Sequence, residues 1–250
     1  MSTRAEFMGK IRAEMSKTRG LFPASPATRP QRPGDEADAI RRELVERWPQ
    51  ALARFREEFE RVGGVFHRVA TAKDVAALVG KLANARSATR VIAWPPSVLG
   101  LNVADSLRGS GVETDLMPAG EIAAGERTRL RDRIAAADLG LTGVDLAVAE
   151  TGTLVLRSGP GRPRSTSLLP PCHVAVFDRT ALVESLEQVG VFLEAWHASP
   201  GVGGGGATGG AVINFITGPS RTADIELTLT RGVHGPKEVH AIFVEAPIGG

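Results

Sequence analysis

The chain has 250 residues, of which 42% are hydrophobic and 23% charged, enough apolar material for one sizeable core. Its net charge of +2 is unevenly spread. Residues 1–34 carry seven Lys/Arg against Glu6 and Glu14, while residues 35–250 carry 23 basic and 26 acidic side chains, so no basic face for nucleic acid is expected on the folded part. Cys172 is the single cysteine, which excludes an intrachain disulfide and a cluster held by four thiolates. A reducing, cytoplasmic setting is expected. Lys10, Arg12, Glu14 and Lys17 interrupt any signal-peptide pattern, and no apolar run approaches the ~20 residues needed to span a bilayer.

In chain order, residues 3–18 fit a short helix with Phe7, Met8, Ile11 and Met15 on one side. Prolines 23, 26, 30 and 33 then predict an extended linker, so residues 1–34 read as a basic arm and 35–250 as the α/β domain. The arm is either a docking element or a frayed terminus. Over 36–62, Ile40, Leu44, Trp48, Leu52, Phe55, Phe59 and Val62 recur every three or four residues, as one apolar helical stripe. Pro49 should kink or break that helix, and Gly63-Gly64 should end it. A strand over 65–69 follows. Thr71 and Asp74 then resemble a capping box that opens the next helix. Strands over 90–94 and 112–117 alternate with helices after Pro95 and over 121–137.

Alternation of strands and helices argues for an α/β sheet with parallel pairs. Runs 144–149 and 153–157 have almost nothing between them, so they predict an antiparallel hairpin or a sharply bent strand. The expected fold is therefore a mixed sheet flanked by helices. A strand over 173–178, a helix from Thr180 to about His197, a strand over 211–217, a short helix from Thr222 and a strand over 239–245 complete it. Residues 201–206 match G-x-G-x-x-G as a string. They follow a helix and precede a strand, the reverse of a dinucleotide fingerprint. Seven of residues 201–210 are Gly, so this run reads as a loop or a lid.

Two blocks carry chemistry. In the first, Glu150 sits at a strand end beside the hydroxyls of Thr151 and Thr153, with Gly152 permitting a tight backbone. Such a carboxylate can be a base, a nucleophile or a ligand to a hydroxyl. It can equally belong to plain turn chemistry. His173 opens the next strand, either facing a site or hydrogen-bonded within the structure. Cys172 lacks a visible activating partner and reads as packing. In the second block, Ser220 or Thr222 would cap a helix whose first turn holds Asp224 and Glu226. Arg221 is left unexplained by capping. With the free N–H groups of a helix start it would seat a carboxylate or phosphate. His234 lies between glycines and should be exposed. His234 and His240 lack a third spaced ligand, so no metal site is expected.

Residues 149–156, 167–173, 218–226 and 232–236, in that order and spacing, resemble the lactate-utilization (LUD) family. The resemblance spans roughly 36–245 and is specific over 138–245. It implies a fold akin to the ribose-phosphate isomerase and CoA-transferase group. It also implies work beside two iron–sulfur partners, lactate utilization proteins A and B, in oxidising L-lactate to pyruvate. The clusters would then belong to the partner subunits, with no cofactor bound by this chain. Three functions follow as expectations. The chain is a non-cluster subunit that binds a small carboxylate such as lactate or pyruvate through Arg221, with Glu150 and His173 or His234 at the hydroxyl. Or it is a ligand-binding or regulatory module without chemistry. Or, by fold analogy alone, it is a CoA-ester or sugar-phosphate enzyme using Glu150 as nucleophile.

Overall fold

A computed structural model describes residues 4–17, 30–109, 111–120, 122–198, 212–223 and 229–249. The chain divides into two units, Met1–Arg32 and Pro33–Gly250. The first contains helix α1 (Arg4–Lys17), with Phe7, Met8 and Ile11 exposed. Residues 1–3 and 18–29 of the predicted arm, and the glycine run 201–210, lie outside the described residues, while Pro33 and Gly34, expected in the linker, open the next helix.

The second unit opens with α2 (Pro33–Arg61). Of the kink or break expected at Pro49, the break does not occur: the helix is continuous through it. The carbonyl that loses its partner, four residues earlier, belongs to Val45, which is 61% exposed and open to water. Burial of Leu44 and Leu52 on either side holds the helix together. Then come β1 (Val65–Val69), α3 (Ala72–Asn84), β2 (Arg90–Ala93), α4 (Pro96–Leu99), α5 (Ala104–Arg108), β3 (Glu113–Leu116), α6 (Ala124–Ala135) and β4 (Leu139–Gly143). The Thr71 backbone N–H (2.9 Å) and hydroxyl (2.8 Å) both donate to Asp74, as the capping pattern predicts. After β5 (Leu146–Val148), β6 (Thr153–Arg157) and α7 (Ser165–Leu168), the chain forms β7 (Cys172–Asp178).

The helix expected from Thr180 is shorter than its signal. Asp178 accepts from the Thr180 N–H at 2.8 Å and from its hydroxyl at 2.6 Å, but this caps only a 3-10 turn, Arg179–Ala181. The short strand β8 (Leu182–Val183) intervenes, and α8 (Leu186–Ala198) begins after it. The last elements are β9 (Ile213–Ile216), β10 (Arg221–Ala223), β11 (Leu229–Arg231) and β12 (Glu238–Val244).

Six strands form one parallel sheet in the order β1-β12-β7-β4-β2-β3. Helices cover it, so its central strands are mostly apolar; every residue of β7 is buried. Four strands form a second sheet in the order β8-β5-β6-β9. There β5 and β6 pair antiparallel, as the short connection requires, β6 and β9 also antiparallel, and β5 and β8 parallel. The fold is α/β as expected, with the mixed pairing confined to this smaller sheet.

The main core lies between α2 and the parallel sheet. Phe55 meets Phe177 edge-on at 5.3 Å, Phe177 meets Phe243 at 5.6 Å, and Trp48 stacks on Phe243 at 5.6 Å. A smaller core gathers Val148, Val155, Val183 and Phe192 against the second sheet. Among the described residues, no helix is long and apolar enough to cross a membrane.

Candidate functional site

The Glu150–Thr153 turn joins β5 to β6 and lies against the carboxyl end of α2. Gly152 has a φ of +61°, and a Cβ there would fall within 2.6 Å of Glu58 C and Phe59 Cα. Only glycine lets the turn touch the helix backbone at that distance. The Thr151 hydroxyl donates to Thr153 Oγ1 at 2.7 Å, and Thr153 Oγ1 lies 2.8 Å from Thr217 Oγ1, which ties the turn to the end of β9. Glu150 Oε2 accepts the Leu186 N–H at 2.9 Å, capping α8. Glu150 also borders an open cavity of about 430 Å³ with Gln50, Arg54, Glu184 and Gln188. Local structure thus accounts for every residue of this block.

The second block differs from its prediction. Residues 221–223 form β10, antiparallel to β11, and not a helix start. Residues 222–230, Thr-Ala-Asp-Ile-Glu-Leu-Thr-Leu-Thr, alternate polar with apolar, a period of two that outweighs the cap-like Ser and Thr. Ser220 and Thr222 therefore cap no helix, and Arg221 has no helix N-terminus beside it. Residues 224–226 of the predicted first turn lie outside the described residues. The Arg221 guanidinium instead donates to Val62 O at 2.6 Å, satisfying a carbonyl at the carboxyl end of α2. Ser220 N–H donates to Pro236 O at 2.9 Å and its carbonyl accepts from Gly232 N–H at 3.0 Å. Both blocks therefore converge on the end of one helix. His234 is exposed on the neighbouring 232–236 turn.

His173 stands apart from both. It is fully buried in β7, with Nε2 2.8 Å from Thr142 Oγ1 and with Nδ1 unpartnered among the described residues. Burial, helped by the nearby His240, pushes its pKa down to about 3, so the imidazole stays neutral. No contact joins Glu150, His173 and His234 among the described residues.

A different group meets at the carboxyl ends of the parallel strands. From β2 the chain crosses to β3 on one side and returns to β4 on the other, so β2 and β4 flank a topological switch point. Ligands of open α/β sheets bind in such crevices. A cavity of about 190 Å³ opens there, lined by Trp94, Gly143, Asp145, Arg162, Asp178 and Thr180 among others.

Asp145 has only 8% of its side chain exposed. Its Oδ1 receives Arg157 Nε at 2.9 Å and Arg162 Nη1 at 3.0 Å, and its Oδ2 accepts the Arg157 N–H at 2.7 Å. Arg157 is held from behind by Trp196, whose ring centroid lies 4.1 Å from Cζ. Asp178 is also committed, to Thr180 and to Ile248 N–H at 2.7 Å. Arg162 uses one guanidinium nitrogen on Asp145 and its Cζ lies 5.8 Å from the Trp94 ring centroid, while its other guanidinium nitrogens make no hydrogen bond among the described residues. A donor fork anchored by a buried carboxylate and facing a small cavity can hold an anion. Sequence reasoning did not single out Asp145, Arg157 or Arg162. Strand order is the signal that finds them, because it identifies the switch point.

The LUD domain model matches residues 52–244. The chain belongs to the LUD domain family. It is 43% identical to lactate utilization protein C of Halalkalibacterium halodurans over 120 residues, 48% of this chain and 50% of that protein. It is 38% identical to lactate utilization protein C of Geobacillus sp. over 112 residues, 43% of this chain and 42% of that protein. The chain thus spans about half the length of the curated relatives it matches. A crystal structure of a DUF162-family protein from Deinococcus radiodurans aligns with a TM-score of 0.51 and 24% identity, covering 79% of this chain and 98% of that one; this supports the fold alone. The LUD match begins within α2 and ends at the last residue of β12, so it contains the switch-point crevice and both converging blocks.

Proposed function

We propose that this LUD protein acts in lactate utilization as a non-cluster component that binds a small carboxylate of the lactate or pyruvate class. The observation that carries the reading is Arg162, pinned by Asp145 at the mouth of the switch-point cavity, with part of its guanidinium fork uncommitted. The cavity of about 190 Å³ has room for a three-carbon hydroxy acid, which supports the reading. Asp178 lines the same cavity, with both carboxylate oxygens accepting internal donors.

Lactate oxidation removes two electrons and two protons. With one cysteine this chain has no thiolate set for a cluster. The electrons would pass to clusters in the iron–sulfur partners, lactate utilization proteins A and B. The only acid–base side chains among the described lining residues are Asp145 and Asp178, both engaged by internal donors. That favours holding the ligand over chemistry by this chain alone. Calorimetry with L-lactate, pyruvate and inorganic phosphate tests the reading. Arg162→Ala should weaken carboxylate binding at least tenfold, about 1.4 kcal/mol. Equal affinity of the wild type and Arg162→Ala for lactate and pyruvate would sink it.

A further inference from the structure

At the amino ends of the same sheet, a second polar cluster has no part in the crevice. Cys172 opens β7 and Glu238 opens β12, and the parallel register sets them side by side. His240 lies two residues along β12, on the same face as Glu238. One ligand-type atom from each of the three lies within 4.8 Å of the others. Cys172 and His240 are buried, while Glu238 is exposed at the mouth.

His240 Nε2 has two polar neighbours, Arg86 Nη2 at 2.9 Å, which can only donate, and Glu238 Oε2 at 3.2 Å, which accepts. Its Nδ1 lies 2.9 Å from His67 Nε2. With the proton on Nδ1, shared with His67, Nε2 is free to accept, which is how a metal-ligating histidine is held. An imidazole, a carboxylate and a thiol converge on a locus suited to a cation. Arg86 supplies one, with Nε 3.0 Å from Glu238 Oε2. Arg86 follows the end of α3, with 24% of its side chain exposed and Nη1 donating to Leu82 O at 2.9 Å, so displacing it would break that bond and its contacts with Glu238 and His240.

We infer that Cys172, Glu238 and His240 form a site for a divalent metal of the zinc class, with Arg86 as the exchangeable cation that occupies the same locus. Sulfur, nitrogen and carboxylate oxygen are the ligand types zinc takes, and a thiolate with a carboxylate would neutralise its charge. Three protein ligands leave a fourth position for water at the exposed mouth. Binding requires the Cys172 proton to leave, so affinity rises with pH and protons are released.

Cobalt(II) titration of the full-length, metal-stripped protein tests this, read by thiolate-to-cobalt absorption in the near ultraviolet. One equivalent should saturate the band. Cys172→Ser should abolish it, His240→Ala should weaken binding at least tenfold, and Arg86→Met, which keeps the side-chain stem, should tighten it at least tenfold. Zinc should compete with cobalt and raise the wild-type melting temperature, a readout that also shows whether each variant is folded. A band in neither the wild type nor Arg86→Met overturns the inference. So does a band that survives Cys172→Ser. A band in Arg86→Met alone makes the guanidinium the permanent occupant and overturns it for the native chain.

Discussion

Replacing Gly152 by Ala tests whether the Glu150–Thr153 turn is a docking element for α2. Two costs add. At a φ of +61° a Cβ-bearing residue is less stable by roughly 1–2 kcal/mol. The new methyl also meets backbone atoms of Glu58 and Phe59 within 2.6 Å, and backbone cannot rotate away as a side-chain tip can. Overpacking of this kind costs typically ~1–3 kcal/mol. The sum is about 2–5 kcal/mol, centred on ~3.5 kcal/mol. At ~2–4 °C per kcal/mol for a domain of this size, melting should fall by roughly 10 °C. Gly111→Ala is the control. Its φ is +76°, but no heavy atom lies within 4 Å of the new Cβ, so it carries the strain without the clash. Calorimetric or circular-dichroism melts of both variants give the comparison. If Gly152→Ala is no less stable than Gly111→Ala, the close approach to α2 does not govern this turn.

Substitutions at three further positions probe other parts of the molecule. For His173 the folded pKa of about 3 lies below the ordinary histidine value of 6.5, because the ring is fully buried. The unfolded chain therefore takes up the proton first. The stability contribution is complete above pH 6.5 and is lost as pH falls toward 3, at up to ~1.4 kcal/mol per pH unit. His173→Asn should flatten the urea-midpoint slope between pH 6 and 4 by about one proton, and an unchanged slope refutes a buried neutral imidazole. Glu150→Ala should cost about 1 kcal/mol by uncapping α8, whereas Glu150→Gln, which keeps an acceptor for Leu186 N–H, should cost less than half of that; equal losses in thermal melts would remove the capping role. Asp145→Ala leaves two guanidinium groups and the Arg157 N–H without their shared acceptor. It should destabilise by about 3 kcal/mol in urea titrations, since the carboxylate is buried, and a loss under 1 kcal/mol contradicts that.

The alternation of strands and helices was legible because each parallel strand is a short apolar run bounded by polar turns. The stretch 173–178 and the hairpin around residues 150–152 are examples. Strand β8 was hidden, because two residues, Leu182 and Val183, establish no period. Strand β10 was read as a helix because Ser220, Thr222 and Asp224 imitate a cap, and the alternation that decides the matter extends past them to Thr230. The site was less legible for a different reason. Trp94 follows β2, Asp145 and Arg162 belong to the long connection from β4 to β7, and Asp178 ends β7, and only the strand order brings them together. Cys172 and Glu238 are likewise paired by register across two parallel strands, which no local spacing reveals. The family blocks were visible as strings. Their physical content, a turn touching the end of α2 and an arginine bonded to its last carbonyl, required the third dimension.

Helix α2 is about 43 Å long at 1.5 Å per residue. It buries Ala37 in the core of the second sheet and Leu44, Phe55 and Phe59 in the core of the first. One rigid rod thus forms a wall of both hydrophobic interiors. Neither sheet can shed that wall alone, so the backbone amides of β5 and β7 should exchange with solvent deuterium through the same rare global opening. The consequence is one melting unit built from two sheets, in which damage to the small sheet is felt at the floor of the crevice in the large one.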